Sequence, residues 1–265
     1  MSLLAARIKR IEPSPTLAIA SKAREKKQAG EDVISLSVGE PDFDTPDYAK
    51  AGGRMAIDNG QTKYTAVDGI PELKAAIIRK FSRDNDLDYT PSEVIVSTGG
   101  KQILYNAIMV SVEQGDEVII PAPYWVSYPS MVKVAGGTPK IIDCPQSAGF
   151  KITPDQLEAA ITDQTKWLIL NSPSNPTGAL YNEAELEALA KVLQRHERVY
   201  IISDDIYEYL QYSGQPFKNI AQVAPDLKGR VLTVNGVSKA YAMTGWRIGF
   251  AGGPAELIGA MKKLQ

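Results

Sequence analysis

Val231-Leu232-Thr233-Val234-Asn235-Gly236-Val237-Ser238-Lys239-Ala240-Tyr241-Ala242-Met243-Thr244-Gly245-Trp246-Arg247-Ile248-Gly249 is the stretch from which the fold can be read. Its opening, Val231 to Asn235, has the apolar, β-branched character of a buried strand, so Gly236 to Lys239 should emerge at the strand's carboxyl end. Ligands of α/β proteins bind at such ends. A lysine held there, partly desolvated and near other cations, loses its proton near neutral pH and can attack a carbonyl. Arg247, further along the same loop, offers a planar fork for a phosphate. Taken alone, a lysine and an arginine are ordinary surface charges and the motif is weak. The rest of the chain decides.

Apolar runs of the same kind recur upstream at Val94–Ser97, Glu117–Ile120, Lys140–Ile142, Trp167–Leu170 and Val199–Ile202, and another follows at Ile248–Ala251. Between them, Gln102–Glu113, Ser127–Ala135, Pro154–Ile161 and Glu183–Arg195 carry apolar residues near helical spacing. This alternation predicts an α/β fold with three layers, a mostly parallel sheet with helices on both faces, and Ile248–Ala251 reads as one more strand, parallel or antiparallel to the rest. Residues 1–47 read differently. They hold an amphipathic piece over Leu3–Ile11, a Pro13-Ser14-Pro15 break, a charged helix through Lys22–Lys27 and a short strand at Val33–Leu36. They are expected to form an arm and the start of a small domain. Residues 48–265 are expected to form the large domain, ending in a helix over Pro254–Gln265 with Leu257, Ile258, Met261 and Leu264 on one face.

Composition narrows the function. The chain has 265 residues, enough to bury a sizeable core, and its 44% hydrophobic and 23% charged residues are those of an ordinary globular protein. With 29 Lys+Arg against 31 Asp+Glu there is no electrostatic case for nucleic acid or an anionic membrane. No stretch has the apolar length of a membrane span, and the start lacks the core of a secretory signal, so a cytoplasmic location is expected. Cys144 is the only cysteine and His196 the only histidine. No ligand spacing for a metal exists, and His196, at the polar end of a helical pattern, reads as a helix-ending residue. Acid-base chemistry must therefore run on Lys, Tyr, Asp or a cofactor.

Several polar groups fall just past the predicted strand ends. Gly99-Gly100-Lys101 opens a helix and could cradle an anion with backbone amides, or could be a plain Gly-Gly turn. Trp125, in Pro121-Ala122-Pro123-Tyr124-Trp125, could stack on a planar ring or pack in the core. Asn171-Ser172-Pro173-Ser174-Asn175-Pro176-Thr177-Gly178 is a rigid loop that presents Asn175. Ser203-Asp204-Asp205-Ile206-Tyr207 offers a carboxylate and a phenol, or simply an acidic helix start.

Together these residues resemble the class I, fold type I family of pyridoxal 5′-phosphate aminotransferases, most closely its prokaryotic aspartate aminotransferase subgroup. Gly39-Glu40-Pro41-Asp42-Phe43, Lys63-Tyr64-Thr65, Gly69-Ile70-Pro71-Glu72-Leu73, Tyr124-Trp125-Val126-Ser127-Tyr128-Pro129 and Asn171–Gly178 look like that family's blocks, in order and from the arm to Gln265.

The resemblance implies roles. Lys239 is the residue that carries the cofactor covalently and moves a proton at the substrate's Cα. Asp204 is the partner of the pyridine nitrogen, whose protonation lets the ring accept electrons. Tyr207 and Asn175 face the ring's 3′ oxygen, and Trp125 its face. Gly99, Gly100, Lys101, Ser238 and Arg247 belong to the phosphate site, joined by Tyr64 from the second subunit of a homodimer with a shared active site. Gly39 contacts the substrate in the arm, as do Trp125 and Asn175, while Lys101 with Thr16 takes a distal carboxylate. That last pair favours aspartate, with 2-oxoglutarate as the second substrate.

Three departures stand out. Gly236 replaces a phosphate-binding serine common in the family. Glu12 stands before Pro13 where members that also use prephenate carry a basic residue, which argues against prephenate. Family members also extend well beyond this length, adding the rest of the small domain and an arginine for the substrate's α-carboxylate. Cofactor binding is thus expected of the chain itself, and turnover of a chain with its last third. The same cofactor also serves β-lyases and decarboxylases. A noncatalytic ligand-sensing domain is the reading from another class, though the basic winged helix of such regulators has no counterpart before Leu3.

Overall fold

The structure is a computed structural model that describes residues 3–265. Met1 and Ser2, the start of the expected arm, lie outside the described residues. Among the described residues seven strands form one sheet: β1 (Val94–Ser97), β2 (Glu117–Ala122), β3 (Thr138–Asp143), β4 (Thr165–Asn171), β5 (Tyr200–Asp204), β6 (Val231–Gly236) and β7 (Gly249–Gly252), in the order β1-β7-β6-β5-β4-β2-β3. β7 runs antiparallel to both of its neighbours, β1 and β6. All the other pairings are parallel. β1 therefore points the same way as β6, and the carboxyl ends of every strand but β7 share one edge. That edge carries the site.

Helices α1 (Pro15–Gln28), α2 (Asp47–Asp58), α3 (Pro71–Asn85), α4 (Gly100–Ser111), α5 (Ser127–Ala135), α6 (Pro154–Ala160), α7 (Glu183–Arg195), α8 (Ile220–Val223), α9 (Val237–Ala240) and α10 (Ala255–Leu264) complete the fold. Their ends follow local chemistry. Pro71 and Pro154 sit in the first turns of α3 and α6, where a missing N–H costs nothing. Thr153 with Gln156 and Asn182 with Glu185 form capping boxes on α6 and α7. Gly136, at φ 102°, ends α5 in the left-handed region.

Neighbouring residues of a strand enter opposite cores, as a pleat requires. Leu168, Leu170 and Ile201 pack with Ile77, Phe81, Leu157, Leu189 and Leu193 of α3, α6 and α7. Trp167, Ile169 and Ile202 pack with Ile103, Ala107, Met131, Ile258 and Met261 of α4, α5 and α10. Both faces of the sheet are covered, so the three layers expected from the alternation are present. On α10, Ile258 and Met261 are buried, while Leu264 remains 47% exposed.

The amino-terminal segment differs from expectation in one element. Val33–Leu36 is not a strand. Ile34 and Leu36 are 88% and 94% exposed, and no strand among the described residues pairs with them. Leu3–Ile11 contains a short 3-10 helix, Ala6–Arg10, and α1 begins after the expected break, at Pro15. None of the described residues before Asp68 is buried. No helix among the described residues is long and apolar enough to cross a membrane. His196 caps the C-terminus of α7 and faces Glu158 at 2.9 Å on the surface.

Candidate active site

β6 ends at Gly236 and leads into α9, which projects Lys239 from the carboxyl edge of the sheet. The side chain is half-buried, and its Nζ donates to the carbonyl oxygen of Gly39. Burial lowers the Lys239 pKa, and the charge of Glu40 acts in the opposite direction. Residues 39–45 lie along the lysine loop: the Thr244 hydroxyl donates to Glu40, and the Thr45 hydroxyl donates to the Ala242 carbonyl at 2.8 Å.

On the adjacent strand, Asp204 closes β5 and is 4% exposed. It accepts the Tyr128 hydroxyl at 2.6 Å on Oδ2 and, weakly, the Ile206 N–H at 3.4 Å on Oδ1. Desolvation raises its pKa to about 6, against the effect of those two donors. Tyr207 follows, its phenol raised by burial and by the Asp204 charge, and within hydrogen-bonding reach of Asn175. The Lys239 Nζ stands 5.8 Å from the centre of the Tyr207 ring. Lys239, Asp204, Tyr207 and Asn175 thus face one space.

Asn175 is brought there by Asn171. The Asn171 amide donates to the Asp204 carbonyl at 2.8 Å, and its Oδ1 accepts the Asn175 N–H at 2.7 Å. One side chain therefore ties the end of β4 to β5 and fixes the start of the 171–178 loop.

The glycines beyond β1 hold Arg247 close to the amino end of α4. Gly99 has φ 94°, and a Cβ there would lie 2.4 Å from Arg247 Nη2. Arg247, itself at φ 56°, donates to the carbonyls of Thr244 at 2.7 Å and Thr98 at 3.3 Å. A Cβ on Gly249 would stand 2.2 Å from Gly100 N, so β7 passes directly beneath this turn. The first amides of α4 have no intrahelical acceptors, and with the guanidinium beside them the corner can receive an anion. Ser238 is buried behind Lys239, its carbonyl accepting the Met243 N–H at 3.1 Å.

Trp125 meets Tyr128 edge-on, with ring centres 5.4 Å apart and planes at 86°. Lys101 Nζ sits 5.5 Å from the Trp125 ring. A cavity of about 490 Å³ opens alongside, lined by Lys101, Arg247, Tyr105 and Ile11 among others, with Asp204, Tyr207 and Lys239 outside its lining. Two of the residues singled out in the sequence stand apart from this group. Thr16 is exposed on α1, and Tyr64 is fully exposed in the loop between α2 and α3.

Tyr128 and Asn171 are the site residues to which sequence reasoning assigned no role. Tyr128 lies in the quoted 124–129 block, yet its partner Asp204 is 76 positions away. Asn171 opens its own block, and only the order of β4 and β5 in the sheet shows what it joins.

The chain spans 66% of the length of curated relatives that it matches over all or nearly all of its own. It is 62% identical over 265 residues to a protein of Cereibacter sphaeroides named aspartate/prephenate aminotransferase, and 53% identical over 262 residues to one so named from Nitrosomonas europaea. Among solved structures, the aspartate aminotransferase of Rhizobium meliloti matches with a TM-score of 0.96 at 54% identity, the match covering the whole chain and 66% of that protein. The Thermus thermophilus aspartate aminotransferase with maleate matches with a TM-score of 0.95 at 46% identity, over the whole chain and 68% of that protein. A family profile described as aminotransferase class I and II matches residues 31–265, and with relatives this similar the chain belongs to that family.

Proposed function

We propose that the complete protein transfers an amino group from aspartate to 2-oxoglutarate with pyridoxal 5′-phosphate, as a homodimer. The observation that carries this is the pairing of Lys239 and Asp204, a half-buried amine and a buried carboxylate at the carboxyl ends of the adjacent strands β6 and β5.

The donor set fits the cofactor. Asp204 is buried with only neutral donors on it and a pKa raised to about 6, so a cationic ring N–H would satisfy its charge. The corner made by Gly99, Gly100 and Arg247 suits a phosphate, and Lys101 and Ser238 would join it. Tyr207 and Asn175 would hold the ring's 3′ oxygen, and Trp125 would lie against its face. Bound there, pyridoxal phosphate supplies an electron sink for the pair left when the substrate's Cα–H bond breaks. Lys239 Nζ, its pKa lowered by burial, receives the Cα proton. The carboxylate of Asp204 keeps the ring nitrogen protonated. Lys101, at the lip beside Trp125, is the cation for a distal carboxylate; Thr16, which stands apart on α1, would have to approach to join it, and Gly39 would contact the substrate from the arm. Maleate in the Thermus relative is likewise a dicarboxylate. Exposed Tyr64 would complete the phosphate site of a second copy.

Incubation with pyridoxal phosphate, borohydride reduction and peptide mapping test the reading. The label is expected on Lys239; a label on another lysine, or none, overturns the assignment. Aspartate is then expected to change the absorbance of the bound cofactor in the complete protein and to yield glutamate from 2-oxoglutarate.

A further inference from the structure

Tyr128 touches two of the side chains that would hold the flat ring, Asp204 and Trp125. Its hydroxyl donates to Asp204 Oδ2 at 2.6 Å, and its ring meets Trp125 edge-on at 5.4 Å. It is 2% exposed, at the first turn of α5, where its N–H bonds to the Trp125 carbonyl at 3.1 Å. A tyrosine there fills space as phenylalanine would. Its hydroxyl, though, has been placed on one carboxylate oxygen and not the other. With Tyr128 on Oδ2, Oδ1 is left with only the long contact from Ile206, so Oδ1 is the oxygen with free capacity.

We propose that Tyr128 is the positioning residue for Asp204: it fixes the carboxylate by Oδ2, turns Oδ1 toward the ring nitrogen and keeps the group ionised so that this nitrogen stays protonated. The proposal rests on the reading above, in which Asp204 meets that nitrogen. Its physical basis is that a hydrogen bond to a buried carboxylate favours the charged form against desolvation. The Asp204 pKa lies near 6 with the bond in place. Losing a charge-assisted bond is worth a shift of about one pH unit or more, which brings the midpoint to neutrality.

Two measurements on the chain test this. In the cofactor-free protein, infrared titration of isotope-labelled aspartate, with Asp204→Asn to assign the band, is expected to show the Asp204 midpoint about one pH unit higher in Tyr128→Phe. With 3-fluorotyrosine at position 128, a stronger donor of nearly the same shape, it is expected to move lower, a direction that loosened packing does not produce. An Asp204 midpoint unmoved by either change overturns the proposal. In the loaded protein, nitrogen-15 NMR of labelled pyridoxal phosphate reads the ring nitrogen directly. Protonation is expected in the parent chain, to be lost in Asp204→Asn, and to be partly lost at neutral pH in Tyr128→Phe. A ring that Asp204→Asn deprotonates and Tyr128→Phe leaves unchanged overturns the proposal alone. A ring that Asp204→Asn leaves unchanged overturns the underlying reading, and the proposal with it.

Discussion

Lys239 gives its Nζ hydrogen to the carbonyl of Gly39, a residue 200 positions earlier in the chain. A carbonyl dipole holds a proton on the amine less firmly than a carboxylate would, so this contact orients the lysine while leaving it able to lose its charge. The carboxylate nearby, Glu40, is taken up by the Thr244 hydroxyl and acts on Lys239 through its field.

Glu40→Gln is therefore expected to lower the Lys239 pKa further, since it removes the charge that opposes desolvation. At fixed pH near 7, acylation of Lys239 in competitive labelling should speed up by about two- to fivefold, a fraction of a pH unit in amine ionisation. An unchanged or slower rate would show that the Glu40 field does not reach the amine.

Asp204 gives a pH dependence of stability. Its pKa is raised from an ordinary 3.8 to about 6, so in that window the folded chain holds a proton that the unfolded chain has released. Stability falls as pH rises from 3.8 to 6, and the full cost, on the order of 3 kcal/mol, persists above 6. Asp204→Asn keeps an acceptor for Tyr128 without the charge. In the cofactor-free chain it is expected to raise the denaturation midpoint at pH 8 and to leave it nearly unchanged at pH 4. Equal effects at the two pH values would refute the assignment of this cost to the carboxylate.

Much of this arrangement is legible in the sequence for a definite reason. Strands buried on both faces must be apolar throughout, so Val94–Ser97, Trp167–Leu170 and Val231–Val234 stand out, and the polar residues that follow them are displayed by default. Helices α5 and α7 begin and end where their apolar spacing and caps do. Contacts that depend on strand order are another matter. Neither the Tyr128–Asp204 bond nor the passage of Gly249 under Gly99 and Gly100 has a local signal, because each joins segments that only the closed sheet brings together. Val33–Leu36 fails in the opposite sense: its local pattern suits a strand, and among the described residues no strand pairs with it.

Gly249 tests the anion corner without touching a charged group. A methyl group there meets backbone 2.2 Å away at Gly100 N, and backbone cannot rotate aside. Gly249→Ala is expected to push β7 and the α4 terminus apart, cost roughly 1–3 kcal/mol and weaken pyridoxal phosphate binding by about tenfold or more in an absorbance titration. Gly259→Ala is the contrast, since nothing lies within 4 Å of its added methyl inside α10. That variant should gain about 0.5–1 kcal/mol and bind as the parent does.

Prephenate sets Glu12 against the relatives. The Cereibacter protein, 62% identical, bears prephenate in its name, while Glu12 puts a negative charge next to Ile11, which lines the cavity beside Lys101 and Arg247. Glu12→Lys in the complete protein is expected to raise kcat/KM for prephenate severalfold relative to 2-oxoglutarate, the scale of one reversed charge in a solvated cleft. A ratio that does not move would place Glu12 outside the acceptor's field.

On the function proposed above, Lys101 would carry the choice of substrate. Its ammonium lies 5.5 Å from the Trp125 ring, at the lip of the site and clear of Asp204, so it is available to a second carboxylate. A charge-assisted contact of this kind is worth about 1.5–3 kcal/mol. Lys101→Met in the complete protein is accordingly expected to lower kcat/KM for aspartate by about 10- to 100-fold. Alanine has no distal carboxylate and should react nearly as before. Phosphate binding is the competing use of the same cation, and it would lower both substrates together along with cofactor affinity. The ratio of the two specificity constants, measured with saturating pyridoxal phosphate, therefore separates a substrate lysine from a cofactor lysine.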